Sequence, residues 1–433
     1  MYKLLTLAAL FLVLTSQALA YGKVFETTFY SEALGQEKSV QIYLPGAYDS
    51  PSCRRYPVIY FFHGALDGFS GYGILPGILD YLIENRVIRP VIMVKPDGFS
   101  SPYPASFYTS SDLYGDLEGY LADDLVEWVD DNFRTIPSRR KRVVMGHSMG
   151  GYGALVYYGQ FSDTYMAAAS VCGSGLDLPT MIEYNLAGVL AELPGMPYQY
   201  NPSAGFANLV LFSMSGAFSD NMEKPPFYVD LPLDGWANII PEVWDRWMEH
   251  NPPHLMADLV PNSSGTNIYF DIGTRDEFHG MPACDAFAES LKVMGLEFEY
   301  QVFAGGHFDK LWQRFPIAIE FLCEAMHHTW PWGYEEQSTT NFAESITSIG
   351  FHQASPSRFS DLTTITFDLH IPGYVSLDIY DGMGRIIETL IDCDLNTGMH
   401  DAVFNGSDLA SGVYFYCVRS GGENATGKLL LIR

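Results

Sequence analysis

The sequence predicts a mainly parallel α/β sheet flanked by helices, carrying an inserted cap and followed by a small C-terminal all-β sandwich. Three observations carry this expectation. Between residue 21 and about residue 335, short apolar runs alternate with segments of helical periodicity, the pattern of strands buried on both faces and joined by crossover helices. From about 177 to 261 that rhythm breaks into a stretch rich in Pro, Gly and aromatic residues. Beyond residue 351, short alternating runs are separated by turn residues, which suits a small antiparallel sandwich.

The elements follow in order. Lys3, the apolar run Leu4 to Leu14 and Ala18-Leu19-Ala20 form a charged start, a short hydrophobic segment and a small-residue cleavage site. Residues 1–20 therefore read as a signal peptide, with the mature chain starting near Tyr21. The run is too short to span a bilayer, and no other stretch is long enough, so no stable membrane insertion is expected. Val58 to Phe62 and Val91 to Val94 are continuous apolar runs, with helix-like spacing from Leu75 to Asn85 between them. Asp116 to Phe133 repeats Leu117, Leu121, Leu125, Trp128 and Val129 on one face, as an amphipathic helix does. Arg142 to Met145, Tyr269 to Ile272 and Phe298 to Phe303 complete the expected strands. The aromatics of the 177–261 insertion, among them Tyr184, Tyr200, Phe206, Trp236 and Trp247, suggest a cap that stacks on flat ligands. Glu335 to Ser348 is polar. The expected layout is thus a main domain over 21–335, a linker over 336–350 and a sandwich over 351–433.

Composition narrows the function classes. Of 433 residues, 48% are apolar and 17% charged, enough for a large core and against global disorder. A formal net charge of −27 repels phosphate backbones, so nucleic acid is not an expected partner. Six cysteines in an exported chain permit disulfides, and Cys393 with Cys417 is the natural pair to expect by location. No spacing suits a zinc, calcium or phosphate-cradling site, so neither metal nor cofactor is expected.

The residues that carry chemistry start at Gly146-His147-Ser148-Met149-Gly150-Gly151. This G-x-S-x-G follows a buried strand and precedes a helix-compatible segment, Tyr152 to Gln160, which is the setting a nucleophile elbow requires. Small residues let the strand and helix approach, and the helix N-terminus favours negative charge at the serine. A serine needs an imidazole base, and the imidazole needs a carboxylate to fix its tautomer. In an elbow fold these arrive later in the chain, as Ser, acid, His. Asp276 follows the 269–272 strand within Gly273-Thr274-Arg275-Asp276, and His307 follows the 298–303 strand within Gly305-Gly306-His307. Glu277 is an alternative acid, Asp271 is expected to point into structure, His279 is expected near the acid, and His327-His328 are expected to cover a surface. For a developing oxyanion, the backbone N–H of Met149 is placed by position. A second donor is expected from the loop after the 58–62 strand, at Ala65 with Leu66 as the alternative.

At these residues the chain resembles the esterase D-like branch of α/β hydrolases, which includes feruloyl and acetylxylan esterases, S-formylglutathione hydrolases and mycolyltransferases. The matching stretches are Tyr60-Phe61-Phe62-His63-Gly64, Asn132-Phe133-Arg134-Thr135-Ile136-Pro137, the elbow through Leu155, Gly273 to Asp276 and Gly305 to His307. The resemblance implies an α/β-hydrolase fold and a triad of Ser148, Asp276 and His307. It also implies a carboxylic ester hydrolase acting on a small-molecule or polysaccharide ester, such as a feruloyl or acetyl ester. An acyltransferase using the same triad, or a non-catalytic surface binder, are the rival readings. The last segment resembles a type A sorting domain of type IX secretion, through Ser355-Pro356, Ile379-Tyr380-Asp381, Gly384-Arg385, Asp408 to Tyr414 and Lys428 to Arg433. That resemblance implies secretion machinery as a partner and a secreted or cell-surface location in a bacterium.

Overall fold

The computed structural model describes residues 21–328 and 349–432, apart from 50–53, 100, 193–198, 202, 204, 235, 258, 260–266, 357, 370, 382–384, 408, 421 and 422. The expected signal peptide, most of the expected linker, Cys53 and the turn expected at Gly382 to Gly384 lie outside the described residues.

An eight-stranded sheet organises the first part of the chain. Its strands are β1 (Lys23–Ser31), β2 (Gln36–Leu44), β3 (Val58–Phe62), β4 (Ile92–Pro96), β5 (Arg142–His147), β6 (Ala168–Val171), β7 (Ile268–Gly273) and β8 (Glu299–Phe303), in the order β1-β2-β4-β3-β5-β6-β7-β8. β1 and β2 form an antiparallel edge, and β4, β3, β5, β6, β7 and β8 run parallel. Side chains of the central strands alternate between two helical layers. Val58, Tyr60 and Phe62 of β3 join one core cluster. Ile59 and Phe61 join the other, with α1 (Ile74–Glu84) and a C-terminal helix of this unit. This is why β3 reads as an unbroken apolar run. The topology is that of an α/β hydrolase.

The amphipathic segment before β5 departs from a uniform helix. Residues Gly119–Asp124 form a π-helical turn that leads into α2 (Leu125–Asn132). The wider turn keeps Leu117, Tyr120, Leu121 and Leu125 all fully buried. It also aims Asp124 at β1, where its carboxylate accepts hydrogen bonds from Ser31 Oγ at 2.6 Å and Ala33 N at 2.9 Å.

After β5 comes α3 (Met149–Gln160), and the insertion between β6 and β7 is helical. It holds α4 (Leu178–Glu192), α5 (Phe206–Phe218), α6 (Pro241–Glu249) and α7 (Pro252–Leu255). Its aromatic residues are divided between internal packing and exposure, with Tyr184 and Phe206 among the exposed ones. Trp247 is fully buried against Phe218, and Tyr200 packs edge-on against Tyr103 at 4.8 Å. Trp236 is 87% exposed. α8 (Gly280–Met294) and α9 (Leu311–Ala325) flank the last two strands of the sheet.

The chain ends in a second structure with its own apolar core. A five-stranded sheet comprises β10 (Arg358–Phe359), β12 (Gly373–Tyr380), β13 (Ile386–Leu395), β15 (Gly412–Ser420) and β16 (Glu423–Leu431). A three-stranded sheet comprises β9 (Ile349–Ser355), β11 (Leu362–Leu369) and β14 (Gly398–Asn405). Ile365, Phe367 and Phe404 of the second sheet share one cluster with Leu377, Ile379 and Val418 of the first, which makes a sandwich. The pairing of Cys393 with Cys417 is not formed. β12 lies between their strands, placing Val375 opposite Cys393 and Asp378 opposite Cys417, and both thiols are free. His328, expected on the surface, is buried and donates from Nε2 to Pro90 O at 3.1 Å.

Two glycines set how closely β5, β3 and α3 approach. A Cβ on Gly146 would lie 2.2 Å from Gly150 O, and a Cβ on Gly150 would lie 2.0 Å from Phe62 O. Both obstacles are backbone atoms, so neither can move aside cheaply. Gly150→Ala is expected to cost about 3 kcal/mol or more, lowering the melting temperature by about 6–12 °C. A variant that melts with the parent in a thermal scan would show that the approach is less tight than this.

Candidate functional site

Ser148 occupies the bend between β5 and α3 with φ 58° and ψ −122°. A non-glycine residue holds such a backbone only where its surroundings enforce it, at a cost of about 1–3 kcal/mol. Here the enforcement is visible. Ser148 N donates to Val171 O at 3.0 Å, and Ser148 O accepts from Gly151 N at 2.9 Å and Ser174 N at 3.1 Å. The hydroxyl faces Ser174 Oγ at 3.4 Å. It opens into a cavity of about 810 Å³, measured out to its mouth, which Ala65, Met149 and Ser174 also line. The N–H of Met149 stands at the first turn of α3, where the helix dipole is positive.

Asp276 and His307 come together on the loops that follow β7 and β8. Thr274 N donates to Phe303 O and Arg275 N to Gly305 O, at 2.8 and 2.9 Å, which ties the two loops. A Cβ on Gly273 would sit 2.4 Å from Gly305 O, so glycine is needed for this contact. Asp276 Oδ2 and His307 Nδ1 are 2.6 Å apart, and both side chains are 1% exposed. Asp276 Oδ1 accepts from Phe278 N at 3.0 Å and Gly280 N at 3.2 Å. Burial alone would raise the carboxyl's pKa. The hydrogen bond and charge of His307, with those two N–H groups, outweigh burial and lower it. An ionised Asp276 fixes the proton of His307 on Nδ1 and leaves the lone pair on Nε2. That Nε2 is buried without a hydrogen-bond partner. Phe278 and Phe308 stand edge-on to the imidazole at 4.6 and 4.9 Å.

The competing residues have other tasks. Asp271 is buried and ion-paired with Arg314 of α9, and it also accepts from Tyr269 OH and Cys172 N. Glu277 is exposed, and its Oε2 accepts from the backbone N–H of His307 at 2.7 Å, so it holds that loop. His279 is exposed in the left-handed region at the start of α8. Leu66 also has a left-handed backbone, and its side chain is 58% exposed, whereas Ala65 is part-buried on the cavity wall.

Several supporting residues escaped the sequence reading. Tyr72 is a junction: its hydroxyl accepts from Gly64 N at 3.1 Å and reaches Asp67 Oδ2 at 2.6 Å and His147 Nδ1 at 2.8 Å. His147 Nε2 in turn donates to His307 O at 3.2 Å. The loop before the elbow, the elbow and the His307 loop are thereby joined. His63 donates from Nδ1 to Gly64 O and accepts on Nε2 from Gly98 N at 2.9 Å. Ser174 had a faint signal in Gly173-Ser174-Gly175; Tyr72 had none.

Among the described residues, one group brings metal-type ligand atoms within 4.8 Å of one another: Cys172, Asp276 and His307. The chemistry suits a metal poorly. Burial pushes the Cys172 thiol up to about 12, so it stays protonated, and Asp276 and His307 already satisfy each other.

The fold defines an α/β hydrolase, and the chain carries an elbow serine and a buried carboxylate–imidazole pair. Residues 31–318 match the family model described as "Putative esterase", and the chain belongs to that family. Residues 356–432 match the model of a secretion system C-terminal sorting domain. The chain is 31% identical over 173 residues to an esterase of Mycobacterium tuberculosis, covering 39% of this chain and 37% of that one. It is 30% identical over 140 residues to an endo-1,4-beta-xylanase/feruloyl esterase of Xylanibacter ruminicola, covering 30% of this chain and 19% of that one. It thus spans well under half the length of these curated relatives. A solved ferulic acid esterase aligns with 71% of this chain and 99% of its own at 18% identity, with a TM-score of 0.48.

Three buried histidines, His63, His147 and His328, and the half-buried His250 give the protein a pH dependence. Burial lowers the pKa of His63 and, together with the charges of His307 and Arg314, that of His147. Burial pushes His250 and His328 down to about 4. In each case the unfolded chain takes the proton first. The stabilising contribution is therefore complete above about pH 6.5 and is lost as pH falls toward 4. Unfolding free energy from denaturant titration should fall between pH 7 and pH 4.5, by up to about 1.4 kcal/mol per pH unit per histidine. A flat profile would contradict this.

Proposed function

We propose that this chain is a secreted serine hydrolase of carboxylic esters, working through Ser148, His307 and Asp276. The observation that carries the reading is the buried Asp276–His307 pair at 2.6 Å with Nε2 of the imidazole unpartnered, in a chain whose elbow serine is held at positive φ. In this mechanism His307 Nε2 takes the proton of Ser148 as Oγ attacks the ester carbonyl. Asp276 stays ionised and stabilises the imidazolium. The N–H groups of Met149 and Ala65 receive the oxyanion. His307 returns its proton to the departing alcohol. Water then repeats the sequence on the acyl-enzyme, with the same imidazole as base.

The division into a catalytic domain over 21–335, a linker over 336–350 and a sorting domain over 351–433 is supported by two sets of sheets with separate apolar cores. The match over 356–432 supports export and a cell-surface or extracellular location, reached through secretion machinery that reads the sandwich. After removal of residues 1–20 the enzyme would meet its ester outside the cell. An acylated polysaccharide supplies such an ester, in line with the Xylanibacter relative being an endo-1,4-beta-xylanase/feruloyl esterase.

Ser148→Ala should lower kcat/KM on p-nitrophenyl butyrate by about 10⁴–10⁶, and Asp276→Asn by about 10⁴, the losses that follow when such triads are dismantled. Steady-state kinetics on the purified chain provide the check. An S148A variant within tenfold of the parent would defeat the mechanism.

A further inference from the structure

The cavity beside Ser148 is walled by two helices of the insertion in a regular way. α5 contributes Phe206, Val210 and Met214, each four residues on from the last. α4 contributes Met181, Asn185 and Val189 with the same spacing. Residues four apart stack along one helix face, so each helix lays a stripe of side chains along the cavity. Eight residues at 1.5 Å each make that stripe about 12 Å long.

The stripe starts beside the reacting groups. Phe206 stacks on Phe278 at 4.1 Å, and Phe278 stands edge-on to His307 at 4.6 Å. From there exposure falls along α5. Phe206 is 36% exposed, Val210 is half-buried and Met214 is fully buried. The slot therefore runs from the partly exposed Phe206 end, next to Phe278, to an apolar floor at Met214. Its walls combine aliphatic and thioether groups with the rings of Phe107, Phe206, Phe278 and Trp247, and the Met181 and Met214 thioethers adapt readily to a flexible chain.

Two features disfavour a hydroxylated aromatic acyl group. Of the insertion's rings, Phe206 stacks on Phe278 and Trp247 packs on Phe218. The polar side chains on the wall are Ser148, Ser174 and Asn185, and the amide nitrogen of Asn185 donates to Met181 O and Phe278 O. A phenolic hydroxyl pushed to the Met214 floor would meet no side-chain donor or acceptor on the α5 stripe.

We propose that the slot between α4 and α5 binds the acyl part of the substrate as an unbranched aliphatic chain of about nine carbons, because an extended chain with tetrahedral angles advances about 1.3 Å per carbon along the stripe. This rests on Ser148 being the nucleophile, and it leaves the alcohol of the ester outside the slot. Each buried methylene should raise kcat/KM by about fourfold.

The test is a p-nitrophenyl ester series from acetate to dodecanoate, with methyl ferulate alongside, on the full chain and on Ser148→Ala and Val210→Trp. Octanoate is expected to exceed acetate by at least about 100-fold in kcat/KM, with the gain ending beyond decanoate. Methyl ferulate should fall at least tenfold below octanoate. Val210→Trp, which fills the slot midway, should cut the octanoate-to-acetate ratio to below about ten. A parent enzyme that depends on Ser148 but prefers acetate or ferulate overturns the slot and leaves the triad standing. Activity that survives in Ser148→Ala overturns both. The parent series decides the matter even if Val210→Trp fails to fold.

Discussion

The hydrogen bond between Asp276 and His307 organises the site because it is the point where two strand-end loops must agree. β7 delivers the carboxylate and β8 the imidazole. The loops are held in register by backbone contacts that only glycine at position 273 permits. With Asp276 kept ionised by two N–H groups and the imidazole, the proton of His307 has one place to sit. The free Nε2 lone pair follows from that arrangement. In the proposed mechanism this lone pair is the base, and it comes at the expense of one unsatisfied buried nitrogen.

The elbow obeys a complementary constraint. Ser148 is held in a left-handed backbone by hydrogen bonds to β6 and to the loop beyond it, while Gly146 and Gly150 let strand and helix pass almost in contact. Around this centre, buried polar groups serve as braces. Asp271 with Arg314 anchors α9 to β7, and Tyr72 ties the loop before the elbow to His147. Each brace satisfies groups that burial would otherwise leave costly.

The legible parts of the sequence were those where one physical requirement dominates. β3 and β5 are buried on both faces, so they read as unbroken apolar runs. The elbow shows itself because a tight strand–helix crossing demands glycines. Asp276 and His307 could be placed by strand ends and chain order. The antiparallel edge β1–β2 went unread because half its face is exposed and carries no continuous apolar run. The helices of the insertion are hidden in the sequence by Pro and Gly near their ends, and aromatic content alone does not separate a packed ring such as Trp247 from an exposed one such as Trp236. Tyr72 was beyond reach, since its role depends on partners at positions 64, 67 and 147 that only the fold assembles. The free cysteines of the sandwich show the same limit, because strand order rather than closeness in sequence decides which residues meet.

Covalent trapping tests the central claim most directly. The full chain would be treated with an organophosphate that phosphorylates activated serines, and peptide mass mapping would locate the adduct. The account predicts a single phosphoryl group on the peptide that contains Ser148, formed far more slowly in His307→Ala. An adduct on another residue, or none at Ser148 in a folded and active preparation, would contradict it.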